Sequence, residues 1–198
     1  MLTIIDYGIN DLPYIASAIS EITSDFKITK NETDIMKSDR VILPGSKELH
    51  SSINHLHLLN LYSLLRICRR PVLGIGVGML LMSNNIENDN TSLLGIFPES
   101  ARQMENPIFG LEKIKTVKES KLLKGVTEED IFYMDNSYYV PKNEYTTAVL
   151  QKEQECSAVM EKDNFFSVLF FPEKSGNAGK QILKNFIELD IHEFKRNA

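Results

Sequence analysis

One ten-residue stretch constrains this chain more than any other: Pro71-Val72-Leu73-Gly74-Ile75-Gly76-Val77-Gly78-Met79-Leu80. An apolar run enters a glycine-punctuated bend, and a second apolar segment, Met79 to Met82, leaves it. A buried parallel strand that turns sharply into a helix at the end of an α/β sheet has this pattern. Where such a turn is a nucleophile elbow, a Ser or Cys stands at its apex on a strained backbone. Here the apex is Gly76, which has no side chain to present.

Three further apolar runs precede it. Leu2 to Ile5 is ended by Asp6-Tyr7-Gly8, Phe26 to Thr29 forms a second run, and Val41-Ile42-Leu43 is stopped by Pro44-Gly45. Between the first two, Leu12, Ile15, Ala16, Ala18, Ile19 and Ile22 fall on one helical stripe, with Pro13 suited to its first turn. Leu56, Leu59, Leu61, Leu64, Leu65 and Ile67 give helical spacing over 47–70. Strands alternating with helical segments predict an α/β fold with a parallel sheet and helices on both faces. Functional loops then belong at the carboxyl ends of the strands: Asp6 to Gly8, Pro44 to Ser46 and Gly74 to Gly78.

The second half changes character. Short strand-like runs at 112–117, 131–134, 145–150, 156–161 and 165–170, with turns such as Lys162-Asp163-Asn164, predict antiparallel additions at one side of the sheet. An amphipathic helix over 179–194 closes the pattern. With no repeat and no dividing linker, the 198 residues are expected to form a single domain, 1–198.

Composition narrows the function classes. A net charge of -5 argues against nucleic acid as a partner. Two cysteines, Cys68 and Cys156, are too few for a disulfide framework and fit a reducing cytoplasm. The opening residues lack a signal-peptide pattern, and no apolar run approaches the roughly 18 residues that span a bilayer, so no membrane association is expected. His50, His55 and His57 are spaced so that a helix points neighbours in different directions, which disfavours a metal site. Gly74-x-Gly76-x-Gly78 does not have the spacing of a dinucleotide fingerprint.

In chain order, these pieces resemble the class I glutamine amidotransferases, most closely the glutaminase subunit of imidazole glycerol phosphate synthase. Ile4-Ile5-Asp6-Tyr7-Gly8 is similar to that subunit's opening strand and turn, and Val41-Ile42-Leu43-Pro44-Gly45 to the strand before its oxyanion loop. Leu73 to Met79 lies on its elbow motif. Asn136-Ser137-Tyr138-Tyr139-Val140 resembles a His-Ser-Tyr-Tyr-Val segment, and Phe170-Phe171-Pro172-Glu173-Lys174-Ser175 a Phe-His-Pro-Glu-Lys-Ser signature. The resemblance spans nearly the whole chain. It implies a flavodoxin-like open sheet with a mainly parallel core, no cofactor and, as partner in a heterodimer, a (β/α)8-barrel cyclase-type subunit.

The family's chemistry needs a Cys thiolate to attack the glutamine carboxamide, a His to move the proton, and a Glu to orient the His. Carried over, the Cys position holds Gly76 and the His position holds Phe171, while Glu173 keeps the third place. Two pocket positions that are Gln in the family hold Leu80 and Leu169. The oxyanion segment reads Pro44-Gly45-Ser46-Lys47, with bulk and charge where a small residue lets the backbone turn. The resemblance therefore implies a degenerate triad, a pseudoenzyme without glutaminase activity on its own, and an old substrate pocket that is filled and dry. Tyr138 and Tyr139 are candidates either for core packing or for a partner-facing surface. The alternatives are a glutaminase working through unconventional residues, such as Cys68 or Cys156, and a metabolite-sensing module that uses the remodelled pocket. The pathway, histidine biosynthesis or the amidination of surface sugars, stays open at this stage.

Overall fold

The computed structural model describes residues 1–9, 11–46, 48–89, 91–151 and 155–195. The first half alternates as the apolar pattern requires: β1 (Leu2–Ile5), α1 (Leu12–Ser20), β2 (Phe26–Thr29), α2 (Glu32–Lys37), β3 (Arg40–Leu43), α3 (Leu49–Leu58), α4 (Leu61–Arg66), β4 (Val72–Ile75) and α5 (Val77–Leu81). The second half is mostly strand: β5 (Arg102–Lys113), β6 (Lys115–Thr116), β7 (Ile131–Tyr139), β8 (Thr146–Gln151), β9 (Glu155–Lys162) and β10 (Phe165–Val168). A 3-10 turn at Pro172–Lys174 then leads into α6 (Gly176–Ile187) and α7 (Ile191–Lys195).

The main sheet runs β2-β1-β3-β4-β10-β9-β8-β6. Its first five strands are parallel, in the 2-1-3-4-5 spatial order of flavodoxin-like sheets once β10 is counted as the fifth. Strands β9, β8 and β6 add antiparallel beyond β10. The connection from β4 to β10 holds α5 and strands β5 to β9, of which β5 and β7 form a separate antiparallel ribbon.

Period-two alternation sorts the sheet's residues onto two cores. Ile5, Val41, Leu43 and Val72 pack with Leu49, Ile53, Leu56, Leu61, Leu64 and Leu65 of α3 and α4 and with the apolar side of α5. Ile4, Ile42, Leu73 and Ile75 point the other way, against Ile15 and Ile19 of α1 and Ile182, Leu183 and Phe186 of α6. Burying both faces is what makes β1, β3 and β4 near-continuous apolar runs, whereas β2, at the sheet edge, is partly exposed.

Three sequence expectations are corrected, and one helix is found where the sequence carried no expectation. The helical spacing over 47–70 is two helices, because Asn60 adopts φ 57 and breaks the first from the second. The segment between β2 and β3 forms α2, capped by the Asn31 side chain accepting from the Asp34 N–H, a short helix with too few apolar positions to show periodicity. The strand expected at 112–117 is the end of β5, which begins ten residues earlier at Arg102, and β6. The helix expected over 179–194 starts at Gly176 and is interrupted after Ile187.

Candidate functional site

Strand β4 is buried along its whole length and delivers the chain to Gly76 at the carboxyl edge of the sheet. There the backbone takes φ 54 and ψ -116, a region that L side chains enter only at a cost. The Gly76 N–H donates to the Val168 carbonyl at 2.8 Å, and its carbonyl accepts from the Met79 N–H at 3.0 Å, starting α5. A Cβ on Gly78 would stand 2.3 Å from the Leu43 carbonyl oxygen, so the start of α5 sits directly against the end of β3. The elbow is therefore present as backbone, with no nucleophile on it.

The Pro44–Ser46 loop lies beside it. The Tyr7 hydroxyl donates to the Pro44 carbonyl at 2.7 Å, tying the β1 turn to this loop. Burial raises the Tyr7 phenol above its ordinary range, so the hydroxyl stays a donor. The Ser46 and Ser52 hydroxyls are 2.6 Å apart, which fastens the same loop to α3. Lys47, the charged member of this segment, lies outside the described residues.

Phe171 closes the arrangement. Its N–H donates to the Tyr133 carbonyl of β7 at 2.9 Å. Its side chain is 2% exposed. The ring lies over both glycines: a Cβ on Gly45 would stand 2.6 Å from Phe171 Cε1, and one on Gly76 would stand 2.9 Å from Cζ. Gly45, Gly76 and Phe171 thus meet, as a site built on these positions requires. Leu80 and Leu169 are also buried, but they belong to the core on the α3–α5 side, whereas Phe171 belongs to the core on the α1–α6 side. The apolar replacements fill two places rather than one.

Glu173 lies two residues after Phe171, inside the 3-10 turn. Its Oε2 is shielded from solvent and has no hydrogen-bond partner. Burial pushes the carboxyl up to about 7; its own backbone N–H and the Lys174 charge pull the other way, and Asp11 adds to the rise. A carboxylate that orients a histidine needs an N–H donor, and residue 171 offers a phenyl ring instead.

Both cysteines lie in the core, one on each side of the sheet. Cys68 and Cys156 are both 4% exposed, and burial raises the Cys68 thiol above its ordinary value, the opposite of an activated thiolate. The three histidines do not converge: His50 bonds to Asp89 at 2.8 Å, while His57 stacks on Tyr62. Of the two tyrosines in the 136–140 segment, Tyr139 is 6% exposed within the α1–α6 core, and Tyr138 is partly buried against the other core. Sequence reasoning missed a more exposed apolar surface. Phe109, Leu111 and Ile131 lie on the outer face of the β5–β7 ribbon, and Phe109 is 75% exposed. It also missed Lys174, whose ammonium has aromatic rings on several sides. Alternation along β5 marks the first feature, but no local pattern marks the second.

Comparison with known proteins places this geometry. The family described as glutamine amidotransferase class-I matches residues 3–189. The chain is 34% identical over 195 residues to the imidazole glycerol phosphate synthase subunit HisH of Bacteroides fragilis, covering 95% of this chain and 99% of that protein. It is 31% identical over 194 residues to the protein of the same name from Escherichia coli K12, with the same coverage. Among solved structures, a Thermoplasma acidophilum protein described as a GMP synthase subunit superposes with a TM-score of 0.76 at 17% identity, covering 99% of this chain and 95% of that one. A structure described as a glutamine amidotransferase superposes with a TM-score of 0.74 at 12% identity, covering 94% of this chain and 97% of that one. These two show a shared fold. The chain belongs to the class-I glutamine amidotransferase family, and the two curated relatives described above are named imidazole glycerol phosphate synthase subunits.

Proposed function

We propose that this glutamine amidotransferase family member does not hydrolyse glutamine and serves as a binding or regulatory subunit of a (β/α)8-barrel cyclase-type partner. One observation carries the reading: the apex of the elbow is Gly76, with the Phe171 ring in contact distance of where its side chain would start. Acyl transfer from glutamine needs a thiolate at that point and an imidazole beside it. Neither is there, and loss of a single triad member typically lowers turnover by about 10^4. The unpartnered Oε2 of Glu173 is what a triad carboxylate becomes when its histidine is replaced.

The partner role is supported from two sides. Curated relatives that this chain covers end to end are named as subunits, not as free-standing enzymes. The outer face of the β5–β7 ribbon carries exposed Phe109, Leu111 and Ile131 beside Tyr133, whose ring meets Phe171 edge-on at 6.3 Å. That puts an apolar surface next to the mouth of the former site. With Tyr139 inside, we assign the docking contact to Phe109 and Leu111, with Tyr138 at the margin.

The test is co-expression with a barrel cyclase, followed by size exclusion and a glutaminase assay. A stable complex at micromolar concentration, without glutamate release, is the expected result. Glutamate release that disappears on replacing Cys68 or Cys156 would instead establish the unconventional glutaminase. Absence of any complex would overturn the partner role.

A further inference from the structure

Half of the chain's six arginines fall within five residues: Arg66, Arg69 and Arg70. They stand at the junction of α4 and β4, so the whole of β4 separates them from the elbow at Gly76. Over the full sequence, acidic residues outnumber Lys and Arg by 27 to 22. Even so, none of the three arginines forms an ion pair among the described residues, whereas Arg102 pairs with Glu87 at 2.9 Å. Arg66 and Arg69 are exposed and Arg70 is half-buried. Like charges this close in sequence repel one another, a cost that a bound anion removes.

The segment that carries them is held in place at both ends. The Tyr62 hydroxyl donates to the Leu93 carbonyl at 2.7 Å, and His57 stacks on the Tyr62 ring with centroids 4.2 Å apart. Arg66 Cζ lies 5.7 Å from the centre of that ring, within the range of cation–π attraction. At the other end, Asn164 Nδ2 donates to the Cys68 carbonyl at 2.9 Å and to the Arg70 carbonyl at 2.7 Å. The Val72 N–H donates to the Asn164 carbonyl at 2.9 Å, and the Cys68 side chain is buried. Guanidinium groups on a fixed backbone offer planar forks that match carboxylates two bonds at a time. Two large apolar side chains accompany them: Ile67 is 69% exposed, and Leu58, at the end of α3, is 77% exposed.

We propose that Arg66 to Arg70, with Leu58, form a docking surface for an acidic protein segment that carries aliphatic side chains. The arginines take its carboxylates, and Leu58 and Ile67 take its apolar groups. A phosphate backbone offers neither of those two side chains an aliphatic partner. Nucleic acid and an anionic bilayer are also extended polyanions, which a chain with net charge -5 repels at long range. A short acidic segment touches the arginine patch alone and escapes most of that repulsion. The surface lies at the amino end of β4 and the elbow at its carboxyl end, so this contact is additional to the cyclase-type partner.

Fluorescence anisotropy of the full chain tests this, with a labelled peptide of Glu and Asp that has Leu at every third position. A Kd on the order of 10 μM is expected at low salt, weakening about tenfold when sodium chloride is raised to about 0.5 M. Arg66→Gln combined with Arg69→Gln should weaken binding about tenfold, and Ile67→Ser about threefold. A peptide with Ala in place of Leu should lose about as much as the Ile67→Ser variant does. Amide chemical shifts of the wild-type protein give a second readout that needs no variant: on adding the peptide, the changes should centre on residues 57–70. No change in anisotropy, equal binding by the double Gln variant, or shifts centred elsewhere would overturn the docking surface. Tighter binding of oligothymidylate or of phosphatidylserine vesicles than of the peptide would also overturn it, by assigning the arginines to a polyanion. Co-elution of the cyclase-type partner should be the same for the double Gln variant and the wild type, so the two readings fail separately.

Discussion

The Phe171 ring occupies the space that a side chain on residue 76 would need: a Cβ built on Gly76 stands 2.9 Å from its Cζ and 3.2 Å from its Cε1. The glycine and the phenylalanine are complementary replacements. Either one alone would leave a hole or a clash, and together they pack.

The first prediction is a coupling between the two. Gly76→Cys should destabilise the protein by roughly 2–4 kcal/mol, combining backbone strain at positive φ with the overlap on Phe171. Phe171→His in the same chain should recover part of that loss, with a coupling above about 0.5 kcal/mol in a thermodynamic cycle from urea unfolding. The double variant should still release no glutamate from glutamine, because Leu80 and Leu169 keep apolar side chains at two positions where the family carries Gln. Additive destabilisation would contradict the complementarity.

Glu173 sets a pH dependence. Its folded-state pKa, about 7, lies above the ordinary 4.5, so the native protein binds the proton more tightly than the unfolded chain does. Its contribution is fully present below about pH 4.5, declines as pH rises, and is lost through pH 7. The total change is on the order of 3 kcal/mol. Glu173→Gln, an isostere that never ionises, should be more stable than the native protein at pH 8, and its stability should vary less between pH 5 and 8. Unfolding curves across that range decide it; a wild-type-like pH profile in the Gln variant would rule out Glu173 as the source.

The Tyr7 hydroxyl should matter to the Pro44 loop. Tyr7→Phe removes the 2.7 Å bond and strands a buried carbonyl, at a cost of about 1–2 kcal/mol. Denaturant unfolding measures the loss, and a change below about 0.5 kcal/mol would mean that the bond is redundant.

For docking, Phe109→Asp should abolish co-elution with the cyclase-type partner while changing stability by less than about 1 kcal/mol, since the ring is largely in solvent. Tyr139→Ala, by contrast, should destabilise the chain whether or not a partner is present, because that ring is in the core. An undiminished complex with the Asp variant would move the contact elsewhere on the molecule.

Much of the fold was legible in order and spacing. Strands β1, β3 and β4 are buried on both faces, so their apolar runs stand out, and Pro44-Gly45 and the glycines at 74, 76 and 78 mark where the last two end. The ribbon was harder to read. Strand β5 is half exposed, and its pairing with β7 shifts register between Gln103 and Ile108, which interrupts the period of two. The helix break at Asn60 was hidden for a related reason: apolar spacing continues across a single left-handed residue.

The sequence by itself determined that no thiol stands at the elbow and no imidazole at residue 171, because those are matters of residue identity. It also determined the parallel core, because burying both faces of a strand demands continuous apolar residues. Only the tertiary structure decided that the Phe171 ring lies on Gly45 and Gly76, that Leu80 and Leu169 fill the opposite core, and that Lys174 finds three rings and Asp11 around it. Those contacts join side chains from the first helix, the ribbon and the last turn. Their strength depends on distance and shielding from water, neither of which is encoded in any local pattern.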